Sequence, residues 1–143
     1  MIIKIRAWDK EQKIMRDWNY FFEYDLRKQI LFDCILEKQF PYLYAFGEPK
    51  SLIPMLYLNI NDLNDVEVYE NDIVLTEDNK IGIVKYGIFE SSHEGGQSRY
   101  HFHLGFHIVD KNGNQLWDTV NEDIDIKKLK VIGNTFENNN LLN

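Results

Sequence analysis

A chain of 143 residues is long enough for one domain, or one small domain with an added subdomain, built around a real core. Hydrophobic residues at 44%, charged residues at 27%, and only eight Gly with three Pro exclude disordered and fibrous classes. The net charge of -7 repels phosphate backbones and anionic membrane surfaces, and a single cysteine excludes both an intrachain disulfide and a cysteine-rich zinc site.

The opening Met1-Ile2-Ile3-Lys4-Ile5-Arg6 meets charge too early for a secretory signal, and no stretch approaches the ~18 apolar residues of a membrane span. A cytoplasmic location is expected. Ile3, Ile5 and Ala7 then alternate with Lys4, Arg6 and Trp8, the period of two that puts one apolar face on a strand. After a polar turn at residues 9 to 13, Ile14 to Trp18 returns as the second arm of a hairpin.

Phe22, Leu26, Ile30 and Cys34 recur at four-residue steps, with Leu31 and Ile35 widening the stripe and Pro41 ending it. This predicts one amphipathic helix near 25–40, although Ile30, Phe32, Cys34 and Leu36 also alternate as a strand would. Cys34 reads as a small buried residue, because a reactive thiol needs an electropositive setting. Tyr42 to Phe46 is strand-like, and Gly47, Pro49 and Pro54 bracket a loop before a strand at Met55 to Leu58.

Beyond residue 66 the pattern is almost wholly β. Val66, Val68 and Ile73 to Leu75 lead to a turn at residues 77 to 80, with Ile81 to Tyr86 as the returning strand. A polar, Gly-bearing stretch from Ser91 to Ser98 precedes a strand at Tyr100 to Val109. Asn112-Gly113 then marks a hairpin with Leu116 to Val120 as its other arm. Residues 123 to 127 read as a short turn or helix, Leu129 to Ile132 as the last strand, and Asn138 to Asn140 as a frayed tail. Short strands joined by tight turns indicate a mainly β molecule, α+β at most, closed as a small barrel or sandwich.

Four co-linear segments resemble the YopX family: Lys4-Ile5-Arg6-Ala7-Trp8-Asp9 with Met15; Tyr57 and Asp62 ahead of Val68-Tyr69-Glu70-Asn71-Asp72-Ile73-Val74; Gly82-Ile83-Val84-Lys85-Tyr86; and Val131-Ile132-Gly133-Asn134-Thr135-Phe136-Glu137-Asn138 with Leu141-Leu142. The resemblance implies a small protein encoded by a bacteriophage or prophage and working in the host bacterial cytoplasm. It also implies an N-terminal hairpin and mixed segment over 1–56, packed as one compact unit on a C-terminal SH3-like β-barrel over 57–143. No activity follows from it. Asn59, Asp65 and Asn71 stand where the family has glycine, and Asn and Asp are the residues that best tolerate left-handed backbone.

The matched residues also have a physical reading. Trp8 anchors the hairpin to the core, Arg6 and Asp9 are placed to share a charge-assisted hydrogen bond across the turn, and Asp72 accepts turn amides. Tyr69, Glu70, Gly82, Gly133 and Asn134 are read with them as residues that specify the fold.

The sharpest chemical candidate is His101-Phe102-His103-Leu104-Gly105-Phe106-His107, with His93-Glu94 nearby. On a strand, His101, His103 and His107 share one face, a candidate first-row metal site. The bland reading is a half-buried strand with its polar face in water and Phe102, Leu104, Phe106 and Ile108 turned the other way, and this reading is preferred. A cupin barrel is excluded, because its first motif needs a glutamate where His107 stands and no histidine follows. Asp110 to Asn114 is no calcium loop, since its glycine is at the fourth position and Asn121 occupies the twelfth. The acidic series from Asp62 to Asp78 reads as a solvated face. No phosphate-binding loop, nucleophile elbow or zinc-protease motif is present.

The expected function is therefore a non-catalytic binding module for a host or phage protein, with no cofactor and no membrane. The alternatives are nucleic-acid binding through a basic aromatic face joining Lys4, Arg6, Lys80 and Lys85, and a metal-dependent role of the three histidines. The sequence is compatible with a homo-oligomer.

Overall fold

The computed structural model describes residues 4–20, 52–92, 100–118 and 125–143, the side chains of 91, 92, 100 and 101 excepted. The expected helix near 25–40, the strand at 42–46, and His93 with Glu94 lie outside the described residues. The protein is mainly β with antiparallel sheets, and the chain divides into two compact units, Met1–Asn59 and Ile60–Asn143.

In the first unit, β1 (Ile5–Asp9) lies between β2 (Ile14–Arg16) and β3 (Leu52–Asn61). The alternation predicted for β1 sets its faces: Ile5 and Ala7 are fully buried, with Trp18, Tyr20, Leu52 and Leu56 packed against them. Trp8 points the other way and is only half-buried. The carboxylate of Asp9 organises the hairpin, accepting the amides of Glu11 at 3.1 Å and Gln12 at 2.9 Å. Its ionic partner is Arg16, at 3.2 Å, and not Arg6 as the sequence suggested. Arg6 and Asp9 are three residues apart on one strand and so point to opposite faces.

Pro54, expected in a loop, is a strand residue opposite Ala7. The amide of Tyr57 donates to the carbonyl of Lys4, and hydrogen-bonded pairs alternate along an antiparallel ladder, so Ala7 and Pro54 fall at a non-bonded pair. The ring there removes no ladder bond.

The second unit holds β4 (Glu67–Tyr69), β5 (Asp72–Leu75), β6 (Ile81–Ser92), β7 (Tyr100–Val109), β8 (Gln115–Asp118) and β9 (Lys130–Asn134). Five of these form a curled sheet in the order β8-β7-β6-β5-β9, half of a barrel. Ile73, Val74, Val84, Ile108 and Leu129 are fully buried within it. Residues 126–128 form a short 3-10 turn started by the Asp125 carboxylate, overlapping the end of the turn or helix expected over 123–127.

Asn59, Asp65 and Asn71, which the resemblance places at glycine positions, have φ of 62°, 63° and 66°. All three sit in the left-handed region that glycine favours. Two retained glycines are held by space. A methyl on Gly82 would meet Ile108 at 2.3 Å, and one on Gly133 would meet the Asn138 side chain at 2.6 Å. The tail expected to fray is instead tied down, because Asn138 accepts the Asn134 amide at 3.1 Å and donates its own to the Asn134 carbonyl at 2.9 Å. A further 3-10 turn, Asn139–Leu142, follows.

Candidate functional site

The long β6–β7 hairpin is where the two sides of the sheet become chemically distinct. The register pairs β5 with β6 over Ile81–Ile83 and β8 with β7 over His107–Val109. From Tyr86↔Phe106 to Ser92↔Tyr100 the two strands continue as a ribbon. Alternation then sorts its side chains into two sets.

One face carries Lys85, Phe89, His103 and His107, with Asp118 beside them on β8. Lys85 stands opposite His107, and His107 opposite Asp118, a cation, an imidazole and a carboxylate in register across three strands. Lys85 Nζ donates to Asn71 Oδ1 at 3.1 Å, and Gln115 donates its side-chain amide to Asp118, which is 1% exposed. His107 Nδ1 lies 3.3 Å from the Gly105 carbonyl. A carbonyl can only accept, so the Nδ1 proton faces it and Nε2 keeps its lone pair.

Burial holds the His107 pKa below the ordinary value and Lys85 adds to the effect, against the Gly105 carbonyl and the carboxylates of Asp118 and Glu70. The ring is therefore neutral at pH 7. Glu70, from the family block, is itself buried.

The predicted histidine face exists, but its described members do not converge. Phe89 lies between them, its ring stacked 5.5 Å from His103 and tilted 5.2 Å from His107. Among the described residues no group of three His, Cys, Asp or Glu is placed to hold a metal ion. The His101 side chain lies outside those residues. Sequence reading missed Asp118 altogether, since nothing local marks an acid as the neighbour of a histidine eleven positions earlier.

The opposite face carries Tyr86, Ile88, Glu90, Phe102, Leu104 and Phe106. Here the structure departs in part from the expectation that apolar residues turn inward while imidazoles meet water: Ile108 on this face is fully buried, but residues farther out along the ribbon are not. Ile88 is 72% exposed, Phe102 74% and Leu104 47%, whereas Phe89 on the histidine face is 5% exposed. Ile88 and Leu104 are register partners, and the rings of Tyr86 and Phe106 meet edge to face at 4.9 Å. The result is one continuous apolar strip.

The remaining matched residues hold backbone turns. Asp72 accepts the Tyr69 amide at 2.8 Å, and the Tyr69 hydroxyl donates to Glu67 at 2.7 Å. Asn134 Oδ1 accepts the amides of Phe136 and Glu137 at 3.0 and 2.9 Å. Of the lysines proposed for a basic face, Lys80 is paired with Asp78 at 2.7 Å, and Lys4 lies 5.9 Å from the centre of the Tyr57 ring.

A curled antiparallel sheet whose matched residues cap turns and fill close contacts defines a small, mainly β protein with a partly barrel-like second unit. The chain belongs to the YopX protein family, which it matches over residues 4–143. No curated protein matches it. No helix among the described residues is long and apolar enough to cross a membrane.

Proposed function

We propose that the chain is a non-catalytic binding module that docks a protein partner on the apolar face of the β6–β7 ribbon. It would do so as a phage or prophage accessory protein in the bacterial cytoplasm. The observation that carries this reading is the joint exposure of Ile88, Phe102 and Leu104 on one face. Three adjacent large apolar side chains in water are unfavourable in isolation and are the usual centre of an interface. The net charge of -7, with Glu90 on the same face, selects a partner whose own apolar patch is rimmed by Lys and Arg. That same charge, with Lys85 donating to Asn71, weighs against nucleic acid.

The test compares capture from host lysate by the unaltered protein, by Ile88→Asp and by Phe102→Asp, with thermal unfolding of each variant measured alongside. A partner that both variants lose, and that added salt weakens, supports the reading. A partner retained by both variants defeats it. So does a dimer in light scattering that Phe102→Asp dissolves, which would make a second copy the occupant.

A further inference from the structure

At the end of the curled sheet, four aliphatic side chains distant in sequence meet in one concavity. Ile81 comes from the start of β6, Leu116 from β8, and Leu141 with Leu142 from the last 3-10 turn. The space is about 530 Å³, inside the range of small-molecule sites, which are typically 300–1,000 Å³. Ile81 is 40% exposed within it.

The two hairpin turns also line it, contributing Lys80 and Lys111. Lys111 makes no ion pair among the described residues, and the Lys80–Asp78 pair is exposed at 59% and 51%, a geometry in which such pairs contribute little and exchange readily. The one acidic side chain in the lining, Asp110, is turned to its own loop. It accepts the amides of Asn112 at 2.8 Å and Asn114 at 2.9 Å, and the Asn114 side chain at 2.9 Å. Four aliphatic side chains beside two ammonium groups, with the Asp110 carboxylate still charged but turned into its own loop, make a lining suited to an amphiphilic anion.

We infer that this concavity binds a free small molecule with an aliphatic body and one anionic head, the body on Ile81, Leu116, Leu141 and Leu142 and the head on Lys111 and Lys80. The site is separate from the ribbon face and does not depend on it. A free molecule is favoured over a lipid bilayer because the site is a concavity, which a single molecule can enter and a bilayer surface cannot.

The experiment uses the full chain with 1-anilinonaphthalene-8-sulfonate as fluorescent probe and decanoate as competitor. One saturable site displaced by decanoate is expected. Ile81→Asp should weaken it at least about ten-fold by placing a charge among the aliphatic side chains. Lys111→Glu, in an exposed turn where folding is not at risk, should weaken it up to about five-fold. In amide spectra of the unaltered protein, decanoate should shift Ile81, Leu116 and Leu141 and leave Ile88 and Leu104 in place. Probe emission that persists in both variants, or that Phe102→Asp removes, overturns the inference. So does cosedimentation with phosphatidylglycerol vesicles without binding of free decanoate.

Discussion

The carboxylate of Asp62 accepts the backbone amide of Val131 at 2.8 Å, joining positions 69 residues apart. The same side chain accepts the amides of Asn64 at 2.8 Å and Val66 at 2.9 Å. One buried acid thus closes the turn before β4 and fastens it to β9.

Asp62→Ala should therefore destabilise the second unit by about 2–4 kcal/mol, because it strands several amides that had a charged acceptor. Urea unfolding followed by fluorescence measures it, and a loss below about 1 kcal/mol would contradict the assigned role.

The acid limb of stability should depend on the same group. Burial pushes the Asp62 pKa up, but the amides of Val131, Val66 and Asn64 outweigh it and the net shift is downward. A carboxyl whose folded pKa lies below its unfolded value, near 3.9, contributes stability that is complete above that unfolded value and is lost as pH falls through the folded one. Asp62→Asn should flatten the fall in melting temperature below about pH 4 while leaving its slope near pH 7 unchanged.

Gly82→Ala should lower stability by about 1–3 kcal/mol, since the added methyl meets Ile108 at 2.3 Å inside the packed core. Coupling is the sharper check. Ile108→Ala should be less harmful in the Gly82→Ala background than in the unaltered protein, and additive effects would show that the two positions do not touch.

At Asn59, Asp65 and Asn71, replacement by valine should destabilise more than replacement by glycine, by about 1–2 kcal/mol at each position. All three backbones are left-handed. Equal effects of the two replacements, read from paired melting curves, would mean that backbone conformation is not what selects these residues.

Much of this fold could be read without coordinates. Strand β7 spans Tyr100–Val109 as its alternation predicted, and Gly113 turns with φ of 85° where Asn112-Gly113 marked the hairpin. Asn and Asp tolerate left-handed backbone, and Asn59, Asp65 and Asn71 each have it, Asn59 within β3. These signals are local: alternation, turn chemistry and φ preference act within a few residues of chain.

The candidate site was legible only in part. That His103 and His107 share a face follows from a spacing of four on a strand, but that Phe89 stands between them follows from the register of β6 against β7. Placing Asp118 opposite His107 takes the pairing with β8 as well, including the bulge after Ile108.

By itself, then, the amino-acid order determined most of the strands and turns, the family and the sorting of side chains into two faces. Only the tertiary structure decided that Asp9 pairs with Arg16, that Phe102 faces water while Phe89 does not, and that Ile81, Leu116 and Leu141 share one concavity. Period two says which residues lie together on a face. Whether that face is covered depends on segments far away in the chain, whose contacts leave no periodic mark on the strand itself.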